Sequence, residues 1–246
     1  MARLLQDPLA NVSAVNSDNA INFGMGDGDD VGYGFQFEPV YSLPAPEWGV
    51  NFLPRAIVPI VGAPPGSDFP RLGEERPSGG DTTFGLSDIQ AQLFVSPTGG
   101  GAWKWGAGPQ ISLRSRTDSK VGGPGWGGGP VGVIVGGAGP WSFVTIAGNI
   151  WGQDGFNTGF LQPMVFYNFE TIPGAYVGYN NAIAADWDAS SDNRLTVPLG
   201  LSAGKTFALG GGYGLSVGAG AYGFPVKPDG GAEWQLKFGI TMVFPR

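Results

Sequence analysis

The 246 residues include 45 glycines and 21 prolines, while charged residues make up only 13%, about half the share usual in a soluble domain. The formal charge is −7 and no stripe of Lys and Arg is present, which argues against a nucleic-acid binder, since that needs clustered cations to neutralise phosphates. With no cysteine there is no disulfide framework or thiolate chemistry, and with no histidine the usual general base, metal ligand and pH switch are all missing.

The chain opens on MARLLQDPLANV, which lacks the long apolar core of a signal peptide. A short turn before Pro8 is the one helical signal, too brief to stand alone. No run approaches the ~18 apolar residues of a spanning helix. Residues 1–13 are therefore expected as a short leading segment and 14–246 as a single domain.

Beyond residue 13, period-two segments alternate with Gly, Pro, Asp and Ser punctuation, the pattern of consecutive antiparallel strands. Strands are expected at 14–25, 31–42, 48–61, 83–96, 103–115, 127–136, 141–151, 157–169, 175–187, 194–207, 212–223 and 232–244. The 13% aromatic content and this regular spacing exclude disorder despite the glycine and proline. The first connection, GMGDGDD, carries Asp27, Asp29 and Asp30. It lacks the rest of a Ca²⁺ ligand pattern and leads into no helix, so it reads as a polar hairpin loop and not as a cation or phosphate site. Later connections alternate in character. LPAPE, SPTGGGA, GGAGP, ETIPG and ALGGG are compact. RTDSKVGGPG, GQDGF, DASSDN, KPDGG and the stretch 62–81 are generally longer and more polar. Short turns at one end and longer loops at the other describe an up-and-down meander with both termini on the short-turn side.

Alternation alone also fits a soluble sandwich or a lipocalin-like barrel. What separates the readings is the second face. In FGLSDIQAQLFVSP, the apolar row Ile89, Ala91, Leu93 and Val95 alternates with Gln90 and Gln92. In WKWGAGPQISLRS, Trp103, Trp105, Ala107, Pro109, Ile111 and Leu113 alternate with Lys104, Gly106, Gly108, Gln110, Ser112 and Arg114. Leu195–Ala203 and Leu215–Ala221 repeat the scheme with Gly, Ser and Thr. A solvated surface would carry far more Lys and Glu. Small polar residues suit the inner wall of a narrow barrel, and Trp48, Trp103, Trp105, Trp141, Trp151, Trp187 and Trp234, all near strand ends, suit two interfacial girdles.

The expected fold is thus all-β, an antiparallel up-and-down transmembrane β-barrel of about 12 strands over 14–246, with residues 1–13 expected as a short periplasmic segment. Parity points Glu38, Asn51, Arg55, Asp88, Gln90, Gln92, Lys104, Gln110, Arg114, Asn168, Asp186, Gln235 and Lys237 into the lumen, where they form ion pairs, set selectivity, or both. Phe160, Met164 and Phe166 are expected to line the interior beside Gln162 and Asn168. Trp234, Leu236, Phe238, Ile240, Met242 and Phe244 form the lipid-facing row of the closing strand, which must be long because a barrel in lipid leaves no edge unpaired. No carboxylate pair, metal cluster or cofactor motif rises above the solvated-loop reading, so no catalytic residue, metal or cofactor is expected.

As a set, LANVSAVNSDNAINFGMG, RAIVPIV, FGLSDIQAQLFVSP, WGAGPQISL, GPWSFVTIAGNIW, FLQPMVFYNF, TVPLGLSAGKTF and EWQLKFGITMVFPR resemble the transporter family associated with the meta-pathway of phenol degradation. The terminal strand with an aromatic at its end also resembles the C-terminal signal of bacterial outer-membrane barrels. The resemblance implies a bacterial outer-membrane barrel passing small solutes, hydrophobic or aromatic compounds among them, with the lipid bilayer and those solutes as its partners and no catalytic residues. It fixes neither the substrate nor an oligomeric state. The alternative from the residues is a non-conducting structural or ligand-binding barrel whose lumen is closed by polar side chains.

Overall fold

In the computed structural model, which describes residues 2–26, 28–67, 80–99 and 101–244, fifteen strands close into one antiparallel barrel. They are β1 (Ser13–Met25), β2 (Asp30–Val40), β3 (Leu43–Ala45), β4 (Val50–Ala63), β5 (Thr83–Leu86), β6 (Ile89–Pro97), β7 (Trp103–Leu113), β8 (Gly127–Ala138), β9 (Trp141–Trp151), β10 (Asn157–Asn168), β11 (Ala175–Asn180), β12 (Ile183–Asp186), β13 (Leu195–Gly210), β14 (Tyr213–Val226) and β15 (Trp234–Phe244). They make twelve staves, because β3 pairs on β4 below β2, β5 and β6 share one stave, and β11 and β12 share another. Consecutive staves pair throughout. β15 closes the barrel on β1, with register running from Ser13↔Phe244 to Phe23↔Trp234.

Two of the twelve expected strands are therefore interrupted. Between β5 and β6, Ser87 and Asp88 leave the ladder, and Phe84 and Leu86 share the outer face with Ile89. The extra residue shifts the parity by one, as a bulge does. Between β11 and β12, the chain leaves β13 after Gly178 and rejoins it at Ala184. The Tyr222 hydroxyl fills that gap, accepting from Asn180 N (3.1 Å) and donating to Asn180 O (3.2 Å). Backbone groups that have lost a strand partner are thus met by a side chain.

One face of nearly every stave is exposed and apolar. All eight tryptophans are exposed, Trp141 least at 43% and Trp48 most at 70%. Most lie near stave ends: Trp48, Trp103 and Trp141 at the end bearing the termini, Trp126, Trp151, Trp187 and Trp234 at the other. The 11 residues of β9, bracketed by Trp141 and Trp151, run about 33–36 Å along the strand, or about 25 Å of height at the usual ~40° tilt.

The other face turns inward and is not uniformly polar. Val131, Val133 and Val135 on β8, Val144 and Ile146 on β9, Leu53 on β4 and Phe94 on β6 form a buried apolar cluster inside the barrel, flanked by Phe160 and Met164. The aliphatic rows of β8 and β9 thus extend the apolar share of the interior beyond the Phe160, Met164 and Phe166 expected on β10. The inner rows of β8 and β9 are themselves aliphatic, so these strands are apolar on both faces.

Residues 2–12 do not stand apart from the barrel. The short helix α1 (Ala2–Leu5) contacts β13, β14 and β15, and Leu9, 4% exposed, belongs to the apolar cluster. Asp27 of the first hairpin loop lies outside the described residues, as does most of the connection from 68 to 79. Asp29 takes a positive φ of 53° in that hairpin turn, a conformation Asp tolerates better than most residues.

Candidate functional site: the barrel interior

Two polar chains cross the interior. The first begins at Glu38 on β2, whose carboxylate is 2.7 Å from an Arg55 guanidinium nitrogen on β4. Arg55 donates to Gln92 Oε1 on β6 (3.3 Å), and Gln92 donates to Gln110 Oε1 on β7 (2.9 Å). Gln110 ends the chain by donating to the carbonyls of Pro130 (3.1 Å) and Asn149 (3.0 Å). Glu38, Gln92 and Gln110 are all buried. Arg55 Nε is buried without a partner among the described residues.

The second chain starts on β15. Gln235 donates to Asn22 on β1 (2.7 Å) and accepts from Asn181 (2.9 Å), which sits at the break between β11 and β12. Lys237 pairs with Asp18 on β1 (2.8 Å) and donates to Asn180 O (3.4 Å). These links pass over β13 and β14, whose inner rows carry Gly200, Ser202 and Gly204, and Gly218 and Gly220. The glycines are required here. A Cβ at Gly204 would collide with the Tyr176 ring, and one at Gly200 would lie 2.7–2.8 Å from atoms of Tyr222. Between the two chains, Gln36 is exposed on the inner row of β2 and faces the half-exposed Asp18. Water therefore reaches the interior along β1 and β2.

Both ends of the interior are furnished. At the end bearing the termini, Asp7 pairs with Lys104 (2.8 Å), Gln6 bonds Asn168 (3.1 Å), and Asn11 accepts from Ser42 (2.8 Å), holding the leading segment across the mouth. At the far end, the connection 114–126 folds back over β4 and β5. Asp88 accepts from the backbone N–H of Ser115 (3.0 Å), Arg116 (3.0 Å) and Gly125 (2.6 Å), with the Arg116 guanidinium at 3.5 Å. Ser87 donates to Gly122 O, and Val121, fully buried, packs on Val61 and Ala63.

The candidate residues thus separate into groups. Glu38, Arg55, Gln92, Gln110, Gln235 and Lys237 belong to the two chains, and Asn168 binds the leading segment and Ser142 (3.1 Å). Asn51 and Gln90 are half-buried on the inner rows. Asp88 is sealed beneath a loop and does not line the lumen. Lys104 sits partly exposed at the mouth, and Arg114 is exposed just past the end of β7, outside the lumen row. Asp186 ends β12, half-buried, and accepts from Asp188 N (3.2 Å). On β15, Gln235 is buried while Trp234, Leu236, Phe238 and Ile240 are exposed. Phe160, Gln162, Met164, Phe166 and Asn168 share the inner row of β10. Parity alone could not supply Asp7 and Arg116, which lie outside strands. Asp18 was within its reach, two residues from Asn16 on the even row of β1.

No protein-family model and no curated protein matches the sequence. Among solved structures, the chain is similar to the COG4313 outer membrane channel from Pseudomonas putida F1, with a TM-score of 0.64 at 12% identity over 95% of this chain and 96% of that one. The fold is shared with an outer membrane channel. A bacterial polysaccharide outer membrane secretin (TM-score 0.46, 9% identity, 96% of this chain and 99% of that) and CdiB from Acinetobacter baumannii (0.40, 11%, 96% and 60%) are more distant, and nothing is argued from them.

Proposed function

We propose that this chain is a bacterial outer-membrane pore for passive passage of small solutes, and that it favours hydrophobic or aromatic ones over ions. The carrying observation is the divided interior. An aliphatic surface built from Val131, Val133, Val135, Val144 and Ile146 faces a small-residue wall bridged by amides and ion pairs. Such a mixed wall can exchange contacts with an apolar body bearing few polar atoms, as small-molecule sites commonly do. The exposed apolar exterior and its two levels of tryptophan support placing the barrel in a bilayer. A twelve-stave barrel already part-filled by side chains conducts narrowly. The leading segment, held by Asp7–Lys104 and Leu9, is the stopper of this pore.

Liposome uptake of a small phenol, alongside planar-bilayer recording, tests the reading. Uptake with low ionic conductance is expected, and deleting residues 2–12 should raise both. No uptake and no conductance from folded protein, with or without residues 2–12, would overturn it.

A second reading, a barrel closed by its own polar network, is favoured by one feature: the unbroken chain from Glu38 to Gln110. Arg55→Gln separates the two. If the network is structural, the variant leaves Glu38 buried and unpaired and costs about 3–5 kcal/mol. If these groups line a water path, stability changes little and the reversal potential moves.

A further inference from the structure

The outer row of the barrel is apolar with few exceptions. Lys205 lies toward one end of β13 with its ammonium 5.5 Å from the Phe207 ring centroid. Asn149, near the end of β9, is bonded to Asn157 and Trp187. Thr145 is mid-strand on β9 but carries a single hydroxyl. The Tyr179 hydroxyl on β11 is spent on the Pro198 carbonyl (2.8 Å), and Ser13 lies at the end of β1. A further exception among the described residues is at the middle of β1, where Ser17 and Asn19 face outward between Val15 and Ile21. Their neighbours across the ladder are Phe35 and Phe37 on β2 and Phe238 and Ile240 on β15.

Asn19 Nδ2 donates one hydrogen to Ser17 Oγ (3.1 Å), and Asn19 Oδ1 accepts from the Tyr33 hydroxyl (2.8 Å). A primary amide has two N–H donors and a hydroxyl has one. The second Asn19 hydrogen and the Ser17 hydroxyl hydrogen meet no further acceptor among the described residues. They stand at a height where hydrocarbon offers none.

We propose that this face of β1 is where two copies of the chain meet in the membrane, with Ser17 and Asn19 of each copy bonded to Ser17 and Asn19 of the other. This rests on the reading of the outer wall as lipid-facing. A second copy is the occupant because the spot presents donors and acceptors together. A two-fold axis along the membrane normal sets such a spot opposite itself, so that the donors of each copy come within reach of the acceptors of the other. Interhelical amides and hydroxyls act as polar contacts of this kind between membrane segments, and the same chemistry serves strands. Lipid tails offer neither group. The aromatic and aliphatic neighbours on β2 and β15 supply the packing around it.

The chain has no cysteine, so single-cysteine variants report contacts directly. In phosphatidylcholine liposomes at a low protein-to-lipid ratio, oxidation should cross-link Val15→Cys about tenfold more than Ala147→Cys, which lies on β9 across the barrel. Adding Asn19→Leu should lower the cross-linking to the Ala147→Cys level, with heat-modifiable gel mobility showing the barrel intact. Leucine continues the apolar row, so folding is expected to survive. Ser17→Ala should lower cross-linking severalfold. Equal cross-linking of Val15→Cys and Ala147→Cys, or cross-linking that persists through both substitutions, overturns the proposal and leaves the pore reading standing. Protein that fails to float with the liposomes overturns the membrane reading, and the dimer with it.

Discussion

On β8 and β9 the inward row reads Val131, Val133, Val135, Val144 and Ile146. On β13 and β14 it reads Gly200, Ser202, Gly204, Gly218 and Gly220. The outward rows of both regions are mainly apolar, with Pro130, Ile134, Phe143 and Ala147 on β8 and β9, and Leu199, Leu201, Leu215 and Val217 on β13 and β14. What differs is only how far the wall advances into the barrel. The branched aliphatics fill their side and draw in Leu53, Phe94 and Leu9. The glycines hold theirs back, and long side chains from β15 and β1 cross the room they leave. A single strand geometry therefore gives a packed side and a bridged side.

This contrast is most sharply broken by placing the same charge on each side. Val133→Asp buries a carboxylate in a dry cluster without a partner and should cost at least ~3 kcal/mol. Ser202→Asp, on the half-exposed inner row of β13, gives up the hydroxyl's bond to Gly178 O (3.0 Å) but keeps access to water, and should cost about 1–2 kcal/mol. Urea midpoints in liposomes, read by heat-modifiable mobility, measure the difference. Equal losses would mean that both sides are equally dry.

A second pair sets inside against outside. Phe238→Arg puts a charge on the outer row of β15 and should impair insertion by about 2–4 kcal/mol if the site lies near the midplane. Gln235→Arg, three positions earlier and facing inward, should be better tolerated, with its effect falling on the Asn22 and Asn181 contacts and on ion selectivity. If both variants insert equally well, the outer row does not face hydrocarbon.

The smallest expected effect on stability is at the mouth. Lys104→Gln removes the partly exposed pair with Asp7 and should cost under about 1 kcal/mol. It should nevertheless increase conductance, because that pair holds the leading segment in place. Unchanged recordings would assign the hold to Leu9 instead.

The wall was legible in the sequence because its period is set by strand geometry. Trp141–Trp151 was bounded at both ends by its tryptophans, and β1 and β15 by their alternation. The interruptions at Ser87–Asp88 and Asn181–Ala182 were not, since a local departure from pairing leaves composition unchanged. Nor was the aliphatic inner surface of β8 and β9. On a strand with valine or isoleucine on one row and proline, glycine, isoleucine or phenylalanine on the other, parity marks two faces without saying which is inside. Parity set Glu38 and Arg55 on the same inner face among several carboxylates and cations, without singling out their pair. It could not supply the partners of Lys104 and Asp88, because Asp7 and Arg116 lie in segments with no period at all.

The ladder between β1 and β15 joins the two ends of the described sequence. Any shorter piece of this chain, however well its hairpins form, carries two bare strand edges and an unclosed apolar sheet. Closure cannot begin until the final strand has been synthesised, and it brings together partners more than two hundred residues apart. Contacts so distant in sequence form slowly, and open edges recruit other chains in the meantime. The chain is therefore at its most vulnerable before Phe244 docks against Ser13, while both edges are still open to their neighbours.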